Sequence, residues 1–87
     1  MRSRDLPQWL RQNRWDIGAR IRTYRIRADL SQVQLGELAQ LDHKTLSRYE
    51  NGQRNLGIDE AALIARALDV PMASLFADEK PPGPAGG

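Results

Sequence analysis

The sequence predicts an all-α fold, a compact bundle of five helices. Three observations predict it. Apolar residues recur at three- and four-residue spacing across residues 16–77. No segment alternates apolar and polar residues with the period of two that a strand shows. Cap and turn residues interrupt the pattern at short intervals, so the helices are short and their links brief. With 87 residues the chain has room for one domain, whose core must be compact and local.

Residues 1–15 read as an N-terminal extension. Leu6, Trp9 and Leu10 stand at helical spacing and Pro7 suits a first helical position, so a further short helix over about residues 6–13 is expected. The domain proper spans 16–77. In its first helix Ile17, Ile21, Tyr24 and Ala28 share one face, with Asp16 as N-cap and Asp29 as the stop. Ser31 and Gln34 then make the Ser-x-x-Gln pattern of a capping box. Leu35, Leu38 and Ala39 form the apolar side of this second helix. Gln40, Leu41 and Asp42 break the chain, and Asp42 caps a third helix with apolar Leu46 and Tyr49. Asn51–Gly52 ends it, since Gly tolerates the left-handed position after a helix. A fourth helix runs from about Ile58 to Leu68. Asp59 and Glu60 suit its N-terminal dipole, and Ile58, Ala61, Ile64, Ala65 and Leu68 make its inner stripe. Pro71 resets the chain, and a last short turn carries Met72, Leu75 and Phe76. The tail, residues 78–87, is Pro, Gly and charge, and its composition predicts disorder.

Composition excludes several classes of function. There is no Cys, hence no disulfide and no thiolate metal site. His43 is the single His, so no metal and no cofactor is expected. No apolar run approaches the roughly 20 residues that span a bilayer, and the N-terminus lacks the apolar stretch of a signal peptide. A soluble cytoplasmic domain is expected. An enzyme is not: the carboxylates Asp59/Glu60 and Asp78/Glu79 are sequence neighbours rather than a shared cleft, and no Gly loop cradles phosphate.

Charge points elsewhere. The net charge is +2, and residues 1–27 hold eight Arg against two Asp. A basic first third suggests attraction to a polyanion; solvated helix faces are the alternative.

The second and third helices are the informative pair. Each is about two turns long, too short to stand alone, and a turn of about three residues forces a large crossing angle. That is the helix-turn-helix arrangement, whose second helix can enter the major groove of DNA. This helix carries His43, Lys44, Thr45, Ser47 and Arg48 off its apolar stripe. Arg48 could pair bidentately with guanine O6 and N7, and Lys44 could also reach guanine. An ordinary hydrated helix face is the other reading of the same residues.

Residues 30–55, LSQVQLGELAQLDHKTLSRYENGQRN, resemble the helix-turn-helix of the Cro and lambdoid phage repressor family, the Xre-like regulators. The resemblance runs without gaps from about Ile17 to Phe76. It includes Ile21, Arg22, Arg25, Gln32, Leu35, Ala39, Leu46, Ser47, Arg48 and the Tyr49–Glu50–Asn51–Gly52 segment. It implies a lambda repressor-like DNA-binding domain that reads a palindromic operator in double-stranded DNA, typically as a dimeric repressor. His43, Lys44 and Arg48 would read base edges, with Thr45 and Ser47 beside them. Gln32, Arg22, Arg25, Asn51 and Arg54 would hold phosphate, helped by the backbone N–H groups near Asn51 and Gly52. Relatives also hold a buried ion pair at the positions of Arg25 and Glu50. Where the family favours Gly, this chain has Asp29, Gln40 and Asp69.

Leu56, Leu63 and Met72 are candidates for a homodimer interface. Trp9 and Trp15 either cover a core edge or make a dimer contact. Arg20, Arg22 and Arg27 are solvated or phosphate-facing. Arg2, Arg4, Arg11 and Arg14 form a candidate mobile basic arm. The GQRNLGI segment looks like that of restriction–modification controller proteins. The rival reading is an antitoxin or controller-type protein whose main contact is a protein partner, a toxin or RNA polymerase, held by the extension.

Overall fold

The computed structural model describes residues 6–77, which form four α-helices and a 3-10 turn rather than five helices. They are α1 (Gln8–Arg27), α2 (Gln32–Ala39), α3 (His43–Glu50) and α4 (Ile58–Leu68), followed by the turn Met72–Leu75. No strand occurs among the described residues.

The correction lies at the two ends. The short N-terminal helix and the first domain helix are one helix of 20 residues, so the boundary expected at residues 15/16 falls inside α1. Asp16 is not a cap. It stands mid-helix, and its Oδ1 accepts a hydrogen bond of 2.9 Å from Gln12 Nε2, one turn earlier. Pro7 is the N-cap, its carbonyl accepting from Leu10 and Arg11. At the other end the chain makes only a 3-10 turn. The expected tail, 78–87, lies outside the described residues, as do Arg2 and Arg4 of the expected arm. Arg11 and Arg14 belong to α1 and so to no arm.

The capping box of α2 forms as its spacing requires. Ser31 Oγ accepts from the Gln34 N–H at 3.0 Å, and Gln34 Oε1 accepts from the Ser31 N–H at 2.8 Å. Asp42 occupies the N-cap position of α3 but makes no side-chain capping bond.

All four α-helices end with one device. A residue with positive φ (Asp29, Gln40, Gly52 and Asp69) turns the chain left-handed. The next N–H then bonds the carbonyl five residues back: Leu30 to Arg25, Leu41 to Gly36, Gln53 to Arg48 and Val70 to Ala65. This is the Schellman closure, which satisfies carbonyls the helix leaves open. Leu30, Leu41 and Val70 then pack on the core, so three of the four corners are locked by an apolar contact.

The core is Ile21, Tyr24, Leu35, Ala39, Leu46, Tyr49, Ala61, Ile64, Ala65, Leu68 and Leu75. Two residues expected to face inward do not: Leu38 is 59% exposed and Ile58 69%. Leu38 lies beside the buried Ala39 on a helix that buries only one narrow side. Ile58 sits in the first turn of α4, one turn ahead of the buried Ala61, where the loop enters. Ala28 ends α1 as its cap rather than extending its inner face. Gly18 lets α1 and α3 touch: a Cβ there would collide with the carbonyl oxygens of Tyr49 and Glu50. No helix among the described residues is long and apolar enough to cross a membrane.

Two substitutions test this packing. Gln40 has φ 60° without the freedom of Gly. A left-handed residue with a Cβ costs about 1–2 kcal/mol, and the extra backbone entropy of Gly takes back roughly 0.5–1 kcal/mol. With a net gain of about 1 kcal/mol, Gln40→Gly is expected to raise Tm by about 4–8 °C in a domain of this size. An unchanged or lower Tm would remove strain from the account of this corner. Gly18→Ala is expected to lose about 1–3 kcal/mol in urea unfolding through overpacking; full retention of stability would mean that α1 and α3 are not in close contact.

Candidate nucleic-acid interface

The candidate site is the outer side of α3. Leu46, Tyr49 and Glu50 turn inward and are buried. His43, Lys44 and Arg48 are exposed, while Thr45 and Ser47 are half-buried. The helical period thus brings His43, Lys44, Ser47 and Arg48 onto one wet, hydrogen-bonding surface, with Thr45 at its margin. Asn51 Nδ2 reaches Ser47 Oγ at 3.4 Å, a long contact that ties the end of the row together. His43 Nδ1 lies 3.8 Å from Asp42 Oδ1.

A polar node fixes how α3 is held. Glu50, the last residue of α3, has a side chain only 2% exposed. Arg25, from the last turn of α1, meets it with two nitrogens. Nε donates to Oε2 at 2.6 Å and Nη2 donates to Oε1 at 3.0 Å. The third nitrogen, Nη1, donates to the Leu30 carbonyl at 2.8 Å, tying down the α1–α2 corner. Gln32 Nε2, from the start of α2, adds 3.2 Å to Glu50 Oε1. One carboxylate therefore gathers α1, α2 and α3. A bidentate guanidinium is the group that fixes direction as well as distance.

The expected phosphate contacts divide under this geometry. Every guanidinium nitrogen of Arg25 has an acceptor within the chain, and the half-buried Gln32 amide is turned to Glu50. The backbone N–H groups of Asn51 and Gly52 are not open to an anion: they donate to Ser47 and Tyr49, 3.0 and 3.1 Å away, within the closure of α3. Arg22, Asn51 and Arg54 are exposed. Arg54 is held over the Tyr49 ring, 5.9 Å from its centroid. Leu56 and Met72 are half-buried against the core, and Leu63, 37% exposed, is the one of that trio on open surface. Trp9 and Trp15 are 65% and 60% exposed and cover no core edge.

Sequence reasoning missed the inward role of Gln32, the Leu30 carbonyl and the close approach at Gly18. A signal for the last was present, because a Gly between Ile17 and Ile21 in a helical pattern marks close packing. No cluster of His, Asp and Glu suited to a metal occurs among the described residues.

Known proteins share this architecture. A family model described as helix-turn-helix matches residues 21–75. An uncharacterized HTH-type transcriptional regulator of Sinorhizobium medicae is 34% identical over 71 residues, which is 82% of this chain and 50% of that protein. The chain thus spans about half the length of the curated relatives it matches. Among solved structures, the restriction-modification controller protein C.AhdI from Aeromonas hydrophila superimposes with a TM-score of 0.73 at 34% identity, over 75% of this chain and 98% of that one. SinR, a master regulator for biofilm formation solved in complex with DNA, gives 0.67 at 34% identity, over 70% and 98% of the two chains.

Removing one partner of the node strands the other in a poorly solvated place. Arg25→Ala is expected to cost about 3–5 kcal/mol of unfolding free energy. Arg25→Met combined with Glu50→Leu should recover most of that loss, because two apolar groups leave no orphan charge. Denaturant titration of the three proteins decides it. Equal destabilisation by the single and double variants would mean that packing, not the charge pair, holds the corner.

Proposed function

The chain belongs to the helix-turn-helix family of Cro and lambdoid-repressor type, a DNA-binding class of transcriptional regulators and not of enzymes, and on that premise we propose that it is a sequence-specific repressor reading duplex DNA with α3. The observation that carries the reading is the outer surface of α3. His43, Lys44, Ser47 and Arg48 face away from a helix whose inner face is fixed in three places by Gly18, Arg25 and Gln32. A helix so held presents its donors without further ordering on binding, which supports base discrimination. Arg48 reads guanine bidentately, Lys44 and His43 read neighbouring bases, and Thr45 and Ser47 add local contacts. Arg22, Asn51 and Arg54 hold phosphate. Arg25 and Gln32 act by orienting α3.

The protein binds as a homodimer to a roughly palindromic operator, its two α3 helices one turn of DNA apart, about 34 Å. Leu63 is the open apolar side chain that favours α4 for this contact. A controller-type role in restriction–modification is the second reading. It is favoured by the likeness to C.AhdI over nearly the whole of that chain.

Selection from a random duplex library, run with wild type and Arg48→Ala, tests the proposal. A two-fold symmetric motif is expected. The variant should lose about 1–3 kcal/mol of discrimination at one base pair in each half-site. Enrichment without symmetry would exclude the palindromic dimer, and an unchanged motif in the variant would remove Arg48 as a reader.

A further inference from the structure

The first half of α1 lies beside the loop that follows α3. The backbone at Arg14–Trp15 runs against Gly52, so closely that a Cβ on Gly52 would stand 3.0 Å from the Trp15 Cα. Next to this crossing is a small cavity of about 40 Å³ lined by Arg14, Ile17, Tyr49, Arg54, Asn55 and Leu56. Two guanidinium-bearing side chains share it, and no carboxylate does. Arg14 Nε is shielded from solvent and has no hydrogen-bond partner among the described residues. A shielded, charged donor without an acceptor is rare in folded proteins and calls for an explanation. Like charges at one cavity without a counter-charge point to an anion supplied from outside.

Size and place narrow its chemistry. The cavity admits an oxygen atom but not a free nucleotide. It opens beside the α3–α4 loop, which flanks the groove whenever α3 lies in it. We infer that Arg14, together with Arg54, forms a clamp for a backbone phosphate oxygen of duplex DNA, supplied by the part of α1 that lies ahead of the family-matched residues 21–75. Arg54 approaches over the Tyr49 ring and Arg14 from the α1 side, so the two donate to one phosphate from two directions. Such a contact adds affinity and register but no base preference. The inference rests on the proposal that α3 engages duplex DNA.

The test is the salt dependence of binding to two fluorescent duplexes of about 20 base pairs, one mixed in sequence and one carrying the selected motif. Wild type, Arg14→Gln and Arg14→Lys are compared, with folding checked by circular dichroism. Each phosphate contact contributes about 0.9 to the slope of log affinity against log salt. Arg14→Gln is expected to lower the slope by about that amount on both duplexes while the selected motif stays the same. Arg14→Lys, which keeps the charge, should retain most of it and serves alone if the Gln variant does not fold. An unchanged slope in the Gln variant overturns the clamp, as does a changed motif. With a Gln variant that fails to fold, a Lys variant whose slope falls as far as a lost contact requires also overturns it. A parallel arm adds inorganic phosphate at fixed ionic strength. A saturable rise in wild-type Tm, absent from Arg14→Gln, with no difference in slope, would place a free anion at the cavity and overturn the DNA assignment. Failure of wild type to bind either duplex would instead sink the functional reading on which the clamp rests.

Discussion

The Glu50 carboxylate is the point on which the remaining geometry depends. It closes α3, accepts two hydrogen bonds from Arg25 of α1 and one from Gln32 of α2. Buried ion pairs are poor sources of net stability, because desolvation offsets most of their attraction. The value of this one is directional. A planar fork on a carboxylate fixes the angle at which the last turn of α3 meets the last turn of α1. Arg25 also holds the Leu30 carbonyl, so the same side chain sets where α2 begins. Helices of eight residues have little stability of their own, and their orientation must come from such tertiary ties.

The corners complete the constraint. Each α-helix ends in a left-handed residue and a closing bond to the carbonyl five back, and at three corners the next side chain enters the core. Exit direction is therefore set within two residues of every helix end. At α3 this closure consumes the amides of Asn51 and Gly52. The same geometry that makes the corner rigid removes those groups from the contact surface. On the function proposed above, phosphate holding falls to side chains around the loop, the exposed Arg54 among them. A site of this kind gains precision from its scaffold and keeps its adaptable groups outside it.

Much of this was legible in the sequence because it is local. The capping box at Ser31, the stripe of α3 and the buried side of α4 beyond its first turn follow from spacing alone. Asp16 misled because an acidic residue before an apolar run is a normal cap signal. Leu10 lies seven residues before Ile17, and that interval already continues the same helical face. Ile58 fits the stripe of α4 by period, yet periodicity carries no information on where a neighbour stops covering a helix. The orientation of the Gln32 amide, the use of the Gly52 amide and the contact at Gly18 arise between elements distant in sequence. The partner resemblance of Arg25 and Glu50 named two positions, while the Leu30 carbonyl and Gln32 complete their set only in three dimensions.

The length of α1 bears on how its basic residues act. Twenty residues make a rod of about 30 Å. Its second half carries Ile21 and Tyr24 into the core, whereas its first half leaves Trp9 and Trp15 in solvent. Burial therefore does not account for the first two turns; the crossing at Gly52 is what holds them to the domain. Along that stretch Arg11 and Arg14 are carried on a rigid helix instead of a flexible arm. A flexible arm must be ordered when it meets a polyanion, and that ordering subtracts from affinity. A helix already seated against the α3–α4 loop loses little further freedom. Its reach is also fixed, so it can serve only the phosphate adjoining that loop, whereas an arm could follow the backbone or enter the minor groove. The extension thus exchanges range for a fixed register relative to α3, the same exchange that the Glu50 node makes within the domain.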